Sequence, residues 1–102
     1  MNITPQLHPS VPVDRLVFTL QLLGDNTRFN IYKLLQANNK LCVSEIAQNL
    51  GVTVSAVSQH FRNFEQLGLV DKSRNGLKIC YHLRADDPLV DGINKLIKLT
   101  GK

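Results

Sequence analysis

The stretch VSEIAQNLGVTVSAVSQHFRNFEQLG, residues 43–68, decides how this chain folds. Ile46, Ala47 and Leu50 share one side of a short helix over about residues 43–50. Gly51 follows where a tight turn needs positive φ, a conformation that only glycine adopts without strain. Thr53 is a natural N-cap for a second helix, whose Val57, Phe61 and Phe64 recur at i, i+4 and i+7. Small Ala47 stands where the two helix axes must approach. Two short helices joined by a glycine turn form the helix-turn-helix pattern, although a generic helical hairpin also fits this outline.

The flanking segments extend the reading. Residues 1–12 carry prolines at 5, 9 and 12 with no periodic pattern and read as an extended arm, which leaves 13–102 as the folded domain. From Val13 the pattern turns helical, with Leu16, Val17, Leu20 and Leu23 on one face and Gly24 as the stop. Asp25 or Asn26 then caps a second helix bearing Phe29, Ile31, Leu34 and Leu35 and ending at Asn38–Asn39. Beyond Gly68, LVDKSRNGLKICYHL predicts a hairpin turning at Asn75–Gly76, with Ile79, Tyr81 and Leu83 on one side and Lys78, Cys80 and His82 on the solvent side. A hairpin in this place is a wing, and its tip carries Arg74 and Lys78. Asp86 or Asp87, followed by Pro88, starts a last helix striped with Leu89, Val90, Ile93, Leu96 and Ile97. A terminal helix this apolar in a domain this small suggests a dimer seam, although the same stripe would serve for docking on the chain's own core. The expected fold is mainly α with a small β-hairpin, in the order α-α-α-α-β-β-α.

Charge points to the partner. The 102 residues carry a formal +4, of which +3 falls between residues 53 and 84. A basic excess confined to one third of the chain suits a polyanion. Stepping about 100° per residue from buried Val57 puts Ser55, Gln59, Arg62 and Gln66 opposite it, with Ser58 and His60 on the flanks. No acid interrupts this face before Glu65. Gln59 can pair with adenine, and Arg62 can reach guanine or a phosphate. Thr53, Ser55 and Ser58 lie near a helix N-terminus, where backbone N–H groups also favour anions, and His60 is either a phosphate contact or a packed flank residue. No nucleophile–base pair and no phosphate-cradling glycine loop appears, so the sequence offers no enzyme. No apolar run approaches the ~18 residues that a membrane span needs, and no targeting segment is evident; the expected setting is the cytoplasm.

Taken together, LLGDNTRFNIYKLL, LCVSEIAQNLGVTVSAVSQHFRNFEQLGLV and RNGLKICYHL resemble the ArsR/SmtB family of bacterial winged-helix repressors, from about Val13 to Leu99. The resemblance implies a homodimer joined by its first and last helices. It also implies binding to palindromic double-stranded operators, and release by a metal, a metalloid or an oxidant. The competing reading is a winged helix used only for protein contact.

The family's sensor positions are only partly kept. One lies at the helix beginning near Val43, where relatives place Cys-x-Cys or a cysteine with a carboxylate three residues on. Here Ser44 replaces the second cysteine, leaving Cys42 and Glu45 one turn apart, with His8 in the arm as a third ligand for Zn²⁺ or Cd²⁺. Glu45 is equally the N3 partner of a capping box. The family's other site, in the last helix, keeps Asp86 and Asp87 but has no histidine after His82. A redox reading uses Cys42, at a helix N-terminus that favours the thiolate, together with Cys80, between Lys78 and His82.

Overall fold

The computed structural model describes residues 11–101. Its elements run α1 Val13–Leu23, α2 Asn26–Ala37, β1 Leu41–Cys42, α3 Val43–Leu50, α4 Val54–Gln66, β2 Val70–Asn75, β3 Lys78–Leu83 and α5 Pro88–Lys98. This is a winged helix-turn-helix. Local chemistry sets the boundaries. Asp25 accepts from the Arg28 backbone N–H at 3.0 Å and starts α2, and Thr53 Oγ1 accepts from Ala56 N–H at 3.1 Å and starts α4. Asp87 Oδ2 accepts from the N–H groups of Leu89 and Val90 and starts α5. Such caps contribute about 1 kcal/mol each. Between α3 and α4, Gly51 sits at φ 67°, and Val52 N–H closes the turn onto Ala47 O at 3.1 Å.

The core lies where α2, α3 and α4 meet the sheet. Ile31, Tyr32, Val57, Phe61, Phe64 and Leu69 are fully enclosed there. Phe61 stacks on Tyr81 with ring centroids 4.1 Å apart and meets Phe64 edge-on at 5.8 Å. That stack holds the middle of α4 against the wing. Tyr32, absent from the apolar set read for α2, is buried and donates its hydroxyl to Asn94 Oδ1 of α5 at 2.9 Å.

Two expectations about the wing need correction. β1 joins the hairpin, so the sheet has the order β1-β3-β2 and β3 is its central strand. Cys80 therefore does not face solvent: it is fully buried, paired with Cys42 on one side and Ser73 on the other. The turn is also displaced by one residue. Asn75 pairs with Lys78, which leaves Gly76–Leu77 as the loop, and only Gly76 (φ 67°) has positive φ. Glycine first in a two-residue loop is the type II′ pattern, and it puts Leu77 fully exposed at the tip.

The last helix is divided. Leu89, Val90 and Ile93 dock on the core, whereas Leu96 and Leu99 stay 60% and 81% exposed. On α1, Val13, Leu16, Val17, Phe18 and Leu20 are exposed as well. Leu20, Leu23, Phe29, Ile93, Leu96 and Ile97 line an apolar groove of about 260 Å³ between these helices. One side chain ties this region to α4: Arg15 donates to Leu67 O (2.7 Å), Gly68 O (3.1 Å) and Asp87 Oδ1 (3.0 Å).

Candidate nucleic-acid interface

Val57, Phe61 and Phe64 bury one face of α4, and that fixes what the other face presents. Ser55, Gln59, Arg62 and Gln66 are all exposed on it. Arg62 donates to Gln59 Oε1 at 2.8 Å, so the two base-reading candidates are already neighbours with aligned side chains. Pairing Gln59 with adenine through both amide atoms requires Arg62 to let go of Oε1, freeing the guanidinium for guanine or phosphate. Ser58 is half-buried on one flank. Thr53 is exposed, but its hydroxyl is engaged in capping, so its free partner for an anion is limited to the remaining hydrogen-bonding capacity of Oγ1.

His60 is not gathered with the reading face. It lies half-buried on the flank towards the start of α2, with Nδ1 enclosed and unpartnered. Burial and the Arg28 charge hold its pKa below the usual histidine range, against the opposing pull of Asp25. Both effects disfavour the charged form that a phosphate would attract.

The wing supplies cations. Arg74 and Lys78 are exposed on either side of the tip, as is Lys72 further down. The wing's one carboxylate, Asp71, sits at the base, 3.6 Å from His82 Nε2 and 3.8 Å from Arg84 Nε. Among the described residues Lys72, Arg74 and Lys78 form no ion pair, so the tip keeps its charge for an external anion. A cleft of about 200 Å³ lined by Ser44, Val54, Ser58, Leu77 and Lys78 separates the wing from the start of α4. Val54 and Leu77 escaped the sequence reading. Their signal was an apolar residue at a helix start off the buried face, and another inside a turn; both are exposed and able to touch a thymine methyl or a groove wall.

At the start of α3, Cys42 is the N-cap residue and Glu45 Oε1 accepts from its backbone N–H at 2.7 Å, the carboxylate half of a capping box. Cys42 is joined to Cys80 in a disulfide. A Zn²⁺ or Cd²⁺ ion would need a Cys42 thiolate and a free Glu45 carboxylate. In this form the Cys42 sulfur is bonded to Cys80 and is not a thiolate, so the disulfide-bonded pair does not fit the ion, although Glu45 keeps its second oxygen free. Among the described residues no three His, Cys, Asp or Glu side chains gather, and His8 lies outside those residues. Asp87, at the family's other sensor position, is committed to Arg15 and the α5 cap.

Comparison with known proteins agrees with this geometry. A family model described as "Bacterial regulatory protein, arsR family" matches residues 25–72, from the start of α2 into β2. The regulator NmtR of Mycobacterium tuberculosis is 38% identical over 80 residues, covering 74% of this chain and 66% of that protein. The cadmium resistance transcriptional regulatory protein CadC of Listeria innocua is 30% identical over 64 residues, covering 63% of this chain; the match spans only 54% of CadC. Among solved structures, HlyU from Vibrio cholerae superposes with a TM-score of 0.76 at 25% identity, covering 88% of this chain and 96% of that one.

Proposed function

Since this chain belongs to the ArsR family of bacterial regulatory proteins, we propose that it is a sequence-specific transcriptional repressor. It binds a palindromic double-stranded operator as a homodimer in the bacterial cytoplasm and leaves it when an effector acts. Its work is recognition and not catalysis. Among the described residues no helix is long and apolar enough to cross a membrane.

The observation that carries this reading is the union of two surfaces. The acid-free outer face of α4 (Ser55, Gln59, Arg62) stands beside a wing tip whose cations, Arg74 and Lys78, have no ion-pair partner among the described residues. Such a helix fits the major groove, and the cations fit the flanking phosphates. In this reading Thr53, Ser55 and Ser58 contact phosphates or base edges near the start of α4, and His60 contributes at most one neutral hydrogen bond to the backbone. The open apolar faces of α1 and α5 support the dimer, because contiguous apolar surface of this kind marks a protein interface.

Binding of the purified protein to its own promoter DNA across a salt series tests the proposal. Affinity that falls steeply with salt, with a log–log slope near −0.9 per neutralised phosphate, supports it. Flat, micromolar binding overturns it in favour of a winged helix that contacts only proteins.

A further inference from the structure

The pairing of Cys42 with Cys80 is the one feature that the DNA-binding reading leaves unused. Cys42, Cys80 and Ser73 occupy directly opposed positions on β1, β3 and β2. Directly opposed residues share a face of the sheet, so the three side chains form a row. The row is uneven in access: Cys42 is half-buried, while Cys80 is fully enclosed in the central strand. Ser73 Oγ, at the far end, is buried and has no hydrogen-bond partner among the described residues. An unpaired buried hydroxyl is costly. A Cys80 thiol in the reduced protein would give it the neighbour it lacks.

We propose that Cys42 and Cys80 form a reversible oxidation site that takes a hydroperoxide, and that its state sets operator affinity. The proposal rests on the DNA-binding reading and names its effector. Cys42, the less enclosed of the two residues and the one at a helix N-terminus, attacks the peroxide as thiolate. The O–O bond breaks, Cys42 becomes a sulfenic acid and the leaving oxygen departs, once protonated, as water or an alcohol. Cys80 then attacks the Cys42 sulfur and loses its proton, and the sulfenic hydroxyl leaves as water. Two thiols and one hydroperoxide thus give one disulfide, one water and one water or alcohol. A dithiol reductant reverses the change by exchange.

The position of the pair links this chemistry to DNA. Cys42 is the N-cap of α3, and α3 packs on the reading helix α4; Cys80 belongs to the strand that returns from the wing tip. Unbonded sulfurs need about twice the ~2.05 Å of a disulfide. Cys80 is enclosed, so the adjustment falls on Cys42 and moves the start of α3 relative to the wing. A reducing cytoplasm holds the dithiol. That state is therefore the operator-bound one, and the disulfide is the released one.

The test compares operator binding by fully reduced protein, by protein treated with hydrogen peroxide, and by Cys42→Ser and Cys80→Ala under both conditions. Mass spectrometry checks for the loss of two hydrogens, and circular dichroism checks the fold. The expected result is a loss of affinity of about fivefold or more on oxidation. Dithiothreitol restores it, and the loss is absent from both variants. A smaller change in protein that has formed the disulfide overturns the proposal, as does an equal loss in Cys80→Ala. Binding by the oxidised protein alone also overturns the proposal; if neither form binds, the repressor reading has failed instead, so the two failures are distinct.

Discussion

The two ends of this molecule are finished to different degrees. Around α4 one chain suffices: the apolar face of the helix is covered by Phe61–Tyr81 stacking and the aromatic core, and apart from Val54 at its start the exposed side chains are polar or basic. At α1 and the second half of α5 the same chain leaves Leu16, Val17, Leu20, Leu96 and Leu99 exposed. In the function proposed here, the contrast means that the reading surface is built within a single protomer, whereas its duplication on a palindrome depends on the unfinished end. Arg15 stands between them. It reaches from α1 to the carbonyls that end α4 and to the cap of α5, and so ties the two ends together.

Breaking the finished end should cost most. Phe61→Ala removes a ring that touches both Tyr81 and Phe64, and should lower unfolding free energy by about 3–5 kcal/mol, measured by urea denaturation. A loss below about 1 kcal/mol would show that the stack does not hold α4 to the wing. The unfinished end should answer differently. Leu20→Glu, at a residue 53% exposed in one chain, should leave the secondary structure by circular dichroism unchanged while shifting the protein from dimer to monomer in sedimentation. If it unfolds the protein instead, α1 is part of the core and the division between the ends is misdrawn.

Within the reading surface the contrast sharpens further. Gln59→Ala should cost about 1–3 kcal/mol on the preferred operator and little on random DNA, whereas Lys78→Ala should weaken both alike and reduce the salt slope by about one. Equal effects of the two variants on specific and random DNA would mean that α4 is not the reader.

The smallest effect expected is at the junction. Burial raises the pKa of Asp87, but the Arg15 hydrogen bond, the Val90 and Leu89 N–H groups and the Arg15 charge outweigh it, and the carboxyl ends below the usual range. A group depressed in the folded state adds stability above its unfolded pKa, near 3.9, and loses it as pH falls through the folded value. Wild type should therefore lose stability more steeply below about pH 4 than Asp87→Asn, as followed by thermal melts.

Much of this was legible in the sequence, for identifiable reasons. Helices show themselves through 3.6-residue periodicity and capping chemistry, so Thr53 and the pairs Asp25–Asn26 and Asp86–Asp87 mark their starts, the structure choosing Asp25 and Asp87, and the Gly51 turn marks the helix pair. The exposed residues of α4 follow from where Val57 is buried. A strand of two residues has no periodicity, and β1 was therefore invisible; with it went the central place of β3, the burial of Cys80 and its meeting with Cys42. Arg15 was missed because its partners lie more than fifty residues away in sequence, and no local pattern announces such a tie.

The central claim is that two copies of one finished reader are held at a fixed spacing by the unfinished seam. Selection of bound duplexes from a random DNA pool tests it most directly. The account predicts enrichment of an inverted repeat, with half-site centres about one helical turn or a multiple of it apart, roughly 34–36 Å per turn. Recovery of a single unrepeated motif, or of no motif at all, would contradict it.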